Sequence, residues 1–328
     1  MLQDPYIPQD LYIPQHPYII ELPTLDALAG RSRAIGATMG GRGFCIIRGL
    51  PNDGDTILAL ARHFGDIQRH IRADSRGVVG DTPQDVSWRN YLPEYHGVSA
   101  EEFAPHTDGS FVDGMLVEGD KVRRITSPRL LLLQIAQRAE QGGDNTVADG
   151  GAILDYLTSE EPEAARLLAT SGCITISRDD QMALAGAVFE RVRRGVLKIR
   201  FRYDDKVYTP SWARDAVTRF HHLTLDPRFS NEISADQGDI IVLDNWRVLH
   251  GRKMFKDNST ESRRKFRRIW ISEDDTEDLV NLVDRPHLNR SQEVYRHYAT
   301  IPSPVPVGQR IRFPCGIALS PQRAASLS

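Results

Sequence analysis

The chain has little of anything that would set it apart from ordinary globular proteins, and each shortage excludes something. Its 328 residues hold only three cysteines, Cys45, Cys173 and Cys315. They are too far apart, and odd in number, for a disulfide framework or a zinc ribbon. That usage predicts a reducing, cytoplasmic setting. Neither sign of charge dominates, with 41 Lys and Arg against 44 Asp and Glu, so neither an acidic disordered tail nor a strongly basic nucleic-acid binder is expected. No apolar run approaches the roughly 18 residues of a membrane span; Leu130 to Leu133 with Ile135 and Ala136 falls far short. The first residues carry acids and prolines where a signal peptide needs a basic end and an apolar run, so neither a targeting segment nor a membrane partner is expected. A glycine-rich phosphate loop at a strand-to-helix junction is also missing, which counts against a nucleotide-binding α/β fold.

The patterning that remains predicts an extended N-terminal arm over residues 1–23, where Tyr6-Ile7-Pro8-Gln9 recurs as Tyr12-Ile13-Pro14-Gln15. Proline fixes φ and removes a donor, so this arm reads as polyproline-like or as an edge strand. It packs either on the body or on a second subunit, and the sequence does not choose between a monomer and a homo-oligomer. Residues 24–328 read as one domain. Helices are expected from Thr24 to Met39, ended by Gly40-Gly41, and from Asp53 to Phe64, capped by Asp55 or Thr56. The polar, Gly- and Pro-broken segment from Asp74 to Glu102 reads as long loops, which are often functional. From Phe103 onward short strands dominate, at Arg129–Gln137, Thr146–Ala148, Cys173–Ser177, Val196–Tyr203, Asp239–Leu243 and Arg264–Ser272. Helical inserts fall at Gly151–Leu157, Ser159–Thr170 and Ser211–Leu223. Short strands with helices packed outside predict a mainly β fold with flanking helices, a barrel or jelly roll.

Three stretches carry chemistry. The first is Phe103-Ala104-Pro105-His106-Thr107-Asp108-Gly109-Ser110-Phe111, which holds the one histidine of ten with an acid two residues on. On a strand, residues i and i+2 face one side, so His106 and Asp108 can share a metal. By itself such a pair is weak. The second runs from Gly238 to Arg252, where apolar residues in series lead through a polar turn to His250 before a glycine. That describes a buried strand delivering an imidazole to a cavity; a core or turn histidine is the blander reading. The third, Arg264-Lys265-Phe266-Arg267-Arg268-Ile269-Trp270-Ile271, belongs to a run with five basic residues in six from Arg263 to Arg268. As a strand it turns Arg264, Phe266 and Arg268 one way and Lys265, Arg267 and Ile269 the other. An inward guanidinium needs a carboxylate or another bidentate acceptor. A solvated basic patch that binds nucleic acid is the alternative, and both the alternation and the overall charge oppose it.

Two histidines and a carboxylate make the facial triad of non-haem Fe(II) oxygenases, with coordination positions left open. In the stretches HTDGSF, GGDNTVADG, GDIIVLDNWRVLHGR and RRKFRRIW, in that order, the sequence resembles the taurine dioxygenase and clavaminate synthase-like branch of the Fe(II)/2-oxoglutarate-dependent oxygenases. The stretch from Gly43 to Pro51 is similar to an N-terminal stretch of the same family. The resemblance implies a double-stranded β-helix, the cupin-like jelly roll. It implies His106, Asp108 and His250 as iron ligands and Arg264 as the residue that binds the distal carboxylate of 2-oxoglutarate. Where many members place a threonine after paired glycines, this chain has Asn145, with Thr146 one step later, and either side chain could make that contact. Arg268 falls where some members hold an anionic substrate group, and the loop bearing Trp88, Arg89 and Tyr91 is a candidate pocket wall. The activity implied consumes Fe(II)-bound 2-oxoglutarate and O2, releases succinate and CO2, and hydroxylates a small polar metabolite, an amino acid or derivative. The intact Asp108 argues against halogenation, whereas desaturation and cyclisation stay open. A jelly-roll metal sensor without turnover is the rival of another class, opposed by Arg264 at the cosubstrate position.

Overall fold

Strands that are apolar at every position, such as Ile240-Ile241-Val242-Leu243, belong in a sheet buried on both faces. A computed structural model of the chain, describing residues 18–83, 100–118, 121–178, 182–192, 195–257, 264–272 and 289–327, has such a sheet. Its hydrogen-bonded order is Ile19–Glu21, Phe44–Arg48, Ile240–Asp244, Leu130–Gln137, Lys265–Ile271, Ile67–Gln68 and Thr300–Ile301, with Val79–Pro83 also paired to Lys265–Ile271. Alternate residues feed two cores. Cys45, Ile47, Leu132, Ile240 and Val242 pack with Ile35, Met39, Ile57 and Leu60 of the helices Leu28–Arg42 and Gly54–Arg62. Phe44, Ile46, Leu131, Ile241 and Leu243 pack instead with Val147 and Leu249 of a second, smaller sheet. Each such side chain is worth about 1.5–3 kcal/mol relative to exposure, so the large sheet is the mechanical base of the molecule.

The smaller sheet runs Ser230–Ile233, Asn145–Asp149, Val248–Arg252 and Phe103–His106, all antiparallel. Its register sets Val147 opposite His250 and His250 opposite His106. Between His250 and Arg252 the register shifts by a residue at the Phe103–His106 strand, where Pro105 has no N–H to give the ladder. The mainly β architecture with flanking helices is as the sequence predicts.

Several local expectations are corrected. The first long helix runs to Arg42, through Gly40 and Gly41, and Gly43 closes it. Two glycines cost a helix about 1 kcal/mol each, and burial of Ile35 and Met39 outweighs them. The cap of the second helix is Asp53, whose carboxylate accepts from the Thr56 amide at 2.7 Å. Ile19–Glu21, at the end of the expected arm, is a parallel edge strand on Phe44–Arg48. The strand from Val196 stops at Ile199; two residues on, the Phe201 amide leaves the ladder for the Thr107 hydroxyl. Part of the expected long loop, Val79–Pro83, is a strand. Among the described residues no helix is long and apolar enough to cross a membrane.

Candidate metal centre and anion cavity

His106, Asp108 and His250 are brought together between the two sheets, each nearly buried, with one potential ligand atom from each within 4.8 Å of the others. The Nε2 atoms of His106 and His250 lie 3.5 and 3.9 Å from Asp108 Oδ1. His106 and Asp108 do not converge by strand alternation. The strand ends at His106, and Asp108 sits in the turn that follows. Three contacts set that turn. Asn245, fully buried, accepts from the Asp108 amide at 2.8 Å and donates to the Asp108 and Pro128 carbonyls at 3.0 and 2.8 Å. Arg200 donates to the Ser110 carbonyl at 2.7 Å. Gly109 has φ +63, and a Cβ there would stand 2.6 Å from Pro128 and 3.3 Å from the Trp270 ring, so only glycine fits.

Protonation follows from the surroundings. His106 Nδ1 lies 3.1 Å from the Ala104 carbonyl; a proton held there leaves the Nε2 lone pair facing the centre. Burial, with His106 beside it, pushes the His250 imidazole down to about 3, so it stays neutral and able to ligate. Burial opposes the charge on Asp108, but Arg268 and the two imidazoles hold its carboxyl well below the ordinary range. Its Oδ2 is occupied by Arg268 Nη1 at 2.9 Å and Trp270 Nε1 at 2.8 Å, which leaves Oδ1 to face the histidines. Two imidazole nitrogens and one carboxylate oxygen fit a divalent metal of the Fe(II) type with positions left open.

An open cavity of about 500 Å³ leads from the two histidines, lined by Phe103, Leu133, Ile135, Phe266 and by Asn145, Arg252, Arg264 and Arg268. The alternation expected of the basic strand holds: Arg264, Phe266 and Arg268 line the cavity, while Arg267 turns away to Asn52 and Gln134. Arg264 is 5% exposed, and burial lowers its guanidinium to about 10 against the pull of Asp257 and Asp144. Gly143, at φ +78, lets it lie close; a Cβ there would be 3.3 Å from Arg264 Cδ and Nε. Of the two candidates after the paired glycines, Asn145 faces the cavity, with Oδ1 3.4 Å from Arg264 Nη2. Thr146 does not line it. Arg268 lines the cavity but is already paired with Asp108. Trp88, Arg89 and Tyr91 lie outside the described residues. Sequence reasoning missed Asn245, Trp270 and Arg252, all inside stretches it quoted. The signal for Arg252 was its place two residues after His250, on the same strand face.

The family model described as taurine catabolism dioxygenase TauD, TfdA family, matches residues 10–270. The chain belongs to this family. Two curated relatives of this TauD/TfdA-family protein are the trimethyllysine dioxygenase of Meyerozyma guilliermondii, 22% identical over 256 residues, and the gamma-butyrobetaine dioxygenase of Pseudomonas sp. strain AK-1, 24% identical over 254 residues. Each match takes in 74% of this chain, but only 58% and 60% of the relatives, so the chain spans less than two thirds of their length. Among solved structures, asparagine oxygenase superposes with a TM-score of 0.57 at 14% identity, covering 75% of this chain and 79% of that one. PvcB from Pseudomonas aeruginosa gives 0.55 at 16%, covering 79% and 87%. These last two are likenesses of fold.

Asn245 yields a test of how the metal-binding turn is built. Asn245→Ala leaves the Asp108 amide and two carbonyls without their buried partner, which costs about 1–3 kcal/mol of stability. A loosened ligand also weakens metal binding by about 10–100-fold. Thermal unfolding and a Mn(II) titration of the variant check both; unchanged Mn(II) affinity would show that the turn holds its shape without Asn245.

Proposed function

We propose that this protein is an Fe(II)/2-oxoglutarate-dependent dioxygenase that hydroxylates an unactivated C–H of a small polar metabolite, an amino acid or derivative. The observation that carries the reading is one cavity lined both by the two histidines of a two-histidine, one-carboxylate cluster and by Arg264 with Asn145. His106, Asp108 and His250 would hold iron; iron with 2-oxoglutarate and dioxygen supplies an oxidant able to break a C–H bond, with loss of CO2 and formation of succinate. Arg264 would grip the distal carboxylate of 2-oxoglutarate, fixing its length axis along the cavity, with Asn145 as a further polar contact. Arg268 would serve Asp108 rather than a substrate anion, holding Oδ2 so that a single oxygen faces the metal. Phe103, Leu133, Ile135 and Phe266 would exclude water from the reacting end.

The names of the curated relatives support an amino-acid-like substrate, since they are dioxygenases of trimethyllysine and gamma-butyrobetaine. The two facing sheets support a jelly-roll reading of the core, with residues 24–328 as one domain. Three free thiols suit a reducing, cytoplasmic location.

Succinate release from 2-oxoglutarate, measured by mass spectrometry with Fe(II), ascorbate, O2 and a panel of free and trimethylated amino acids, tests the reading. A panel member that raises succinate and gains 16 mass units is the expected result. Iron-loaded protein that makes no succinate, alone or with any panel member, would reject it.

A further inference from the structure

Beside the turn that carries Asp108 lie two buried cations, Lys198 and Arg200, each 1% exposed. Lys198 is on the strand Val196–Ile199 and Arg200 directly follows it. The antiparallel register puts Glu190, of the strand Phe189–Val192, directly opposite Lys198. The acid and the lysine therefore share one face, and Arg200, two residues on with its amide still bonded to the Val188 carbonyl, continues that face. Arg200 donates Nε and Nη2 to Glu190 Oε2 at 3.1 and 2.7 Å. Lys198 Nζ and Arg124 Nη2 each lie 3.4 Å from Glu190 Oε1. Three cations thus meet on one carboxylate. Burial opposes its charge, yet Lys198 and Arg200 hold it below the ordinary glutamate range.

This network reaches the metal-binding turn through a single side chain. Arg200 Nη1 donates to the Ser110 carbonyl at 2.7 Å, two residues after Asp108. The next residue, Phe201, holds Thr107 between the two ligands: its carbonyl accepts from the Thr107 amide at 2.8 Å and its amide donates to the Thr107 hydroxyl at 3.0 Å. A guanidinium is planar with its N–H directions fixed. Once Nε and Nη2 are committed to Glu190, the line along which Nη1 points is set as well. Burying such a network is a weak source of stability, because apolar side chains of similar volume often serve as well. What it supplies is a direction for one hydrogen bond.

We infer that Glu190 is a positioning residue for the metal centre: by orienting Arg200 it fixes the Ser110 carbonyl, and with it the turn that presents Asp108. The inference rests on the reading of His106, Asp108 and His250 as metal ligands, and it is independent of the cosubstrate.

Calorimetric titration of the full chain with Mn(II), run well below each variant's melting temperature, tests it. Glu190→Gln keeps the shape and drops the charge, and should weaken Mn(II) about 10–100-fold. Arg200→Gln should lose about as much or more. The double variant should stay within about twofold of Arg200→Gln alone, because both side chains act through one contact. Met39→Ala opens a hole in the other core; it should lower the melting temperature and leave Mn(II) affinity within about twofold of the wild type. Wild-type affinity in Glu190→Gln would overturn the inference. So would losses that add in the double variant, since Glu190 would then act by a route other than Arg200. A loss in Met39→Ala as large as that in Glu190→Gln would overturn it too, because affinity would then follow stability alone. If Glu190→Gln does not fold, Glu190→Asp decides: with its carboxylate drawn back by one methylene it must bind Mn(II) at least about threefold more weakly, and wild-type affinity would overturn the inference. A wild type that binds no Mn(II) would overturn the ligand reading itself, and the inference with it; the other negative results arise only in a wild type that binds.

Discussion

Replacing His250 by alanine is expected to end metal-dependent turnover and to remove the rise in melting temperature that Mn(II) or Fe(II) gives the wild type. Disturbing a residue that only orients a ligand costs about 10–100-fold in metal affinity or activity, and losing a ligand outright should exceed about 100-fold. The metal-free protein should melt close to the wild type. His250 Nδ1 is buried and takes no hydrogen bond among the described residues, so the imidazole contributes packing but no polar anchor to the fold. Its neighbours stay in place without it: Arg268 and Trp270 hold Asp108 from the side away from the histidines, and the Ala104 carbonyl holds His106. The measurement is therefore a pair of melting curves with and without metal, together with succinate formation. His250→Ala that keeps both the metal shift and turnover would place the metal elsewhere. His106→Ala should behave in the same way, because it faces His250 directly across the strand pair.

What was legible in the sequence, and what was not, divides by distance along the chain. His106 and His250 announce themselves through local pattern, one by an acid two residues on and the other by an apolar strand ending in His-Gly. The inward face of Arg264 to Arg268 was legible for the same reason, since strand alternation is a local rule with period two. The reason for Asp108 was misjudged. Alternation suggested that it shares a strand face with His106, whereas the chain turns first and Asn245, 137 positions away, fixes the turn. A side chain that substitutes for backbone partners leaves no periodic trace.

Arg268 shows the same limit from another side. Its position on the strand told which way it points, but not that Asp108, 160 residues earlier, already occupies it. That pairing decides whether the guanidinium is offered to a ligand or spent on the metal site, and only the tertiary arrangement contains it. Asn145 and Thr146 could not be separated by sequence spacing because an insertion of one residue reverses every face of a strand. The pairing of Asn145 with Arg252 and of Val147 with His250 settles which of the two faces the cavity. Arg252 carries no local signal beyond its place two residues after His250, on a strand that runs through Gly251 to reach it.

Arg264→Ala should raise the KM for 2-oxoglutarate by about 30-fold to several thousand-fold, the range that follows from removing one partner of a buried, hydrogen-bonded charge pair. The size of the effect comes from the burial of the site. Arg264 sits 5% exposed in the cavity wall, so a carboxylate paired with it there loses much of its hydration and bears a desolvation cost once the partner is removed. The maximal rate at saturating cosubstrate should fall far less, because the metal and its three proposed ligands are untouched. Arg264→Lys should lie between, keeping a positive charge but losing the planar fork and the contact with Asn145. The free protein should not be destabilised in proportion, since burying this guanidinium is itself costly, as its lowering to about 10 records. A variant with the cosubstrate KM unchanged and the maximal rate collapsed would mean that Arg264 acts on the reacting end of the cavity, and that the carboxylate is held by other groups.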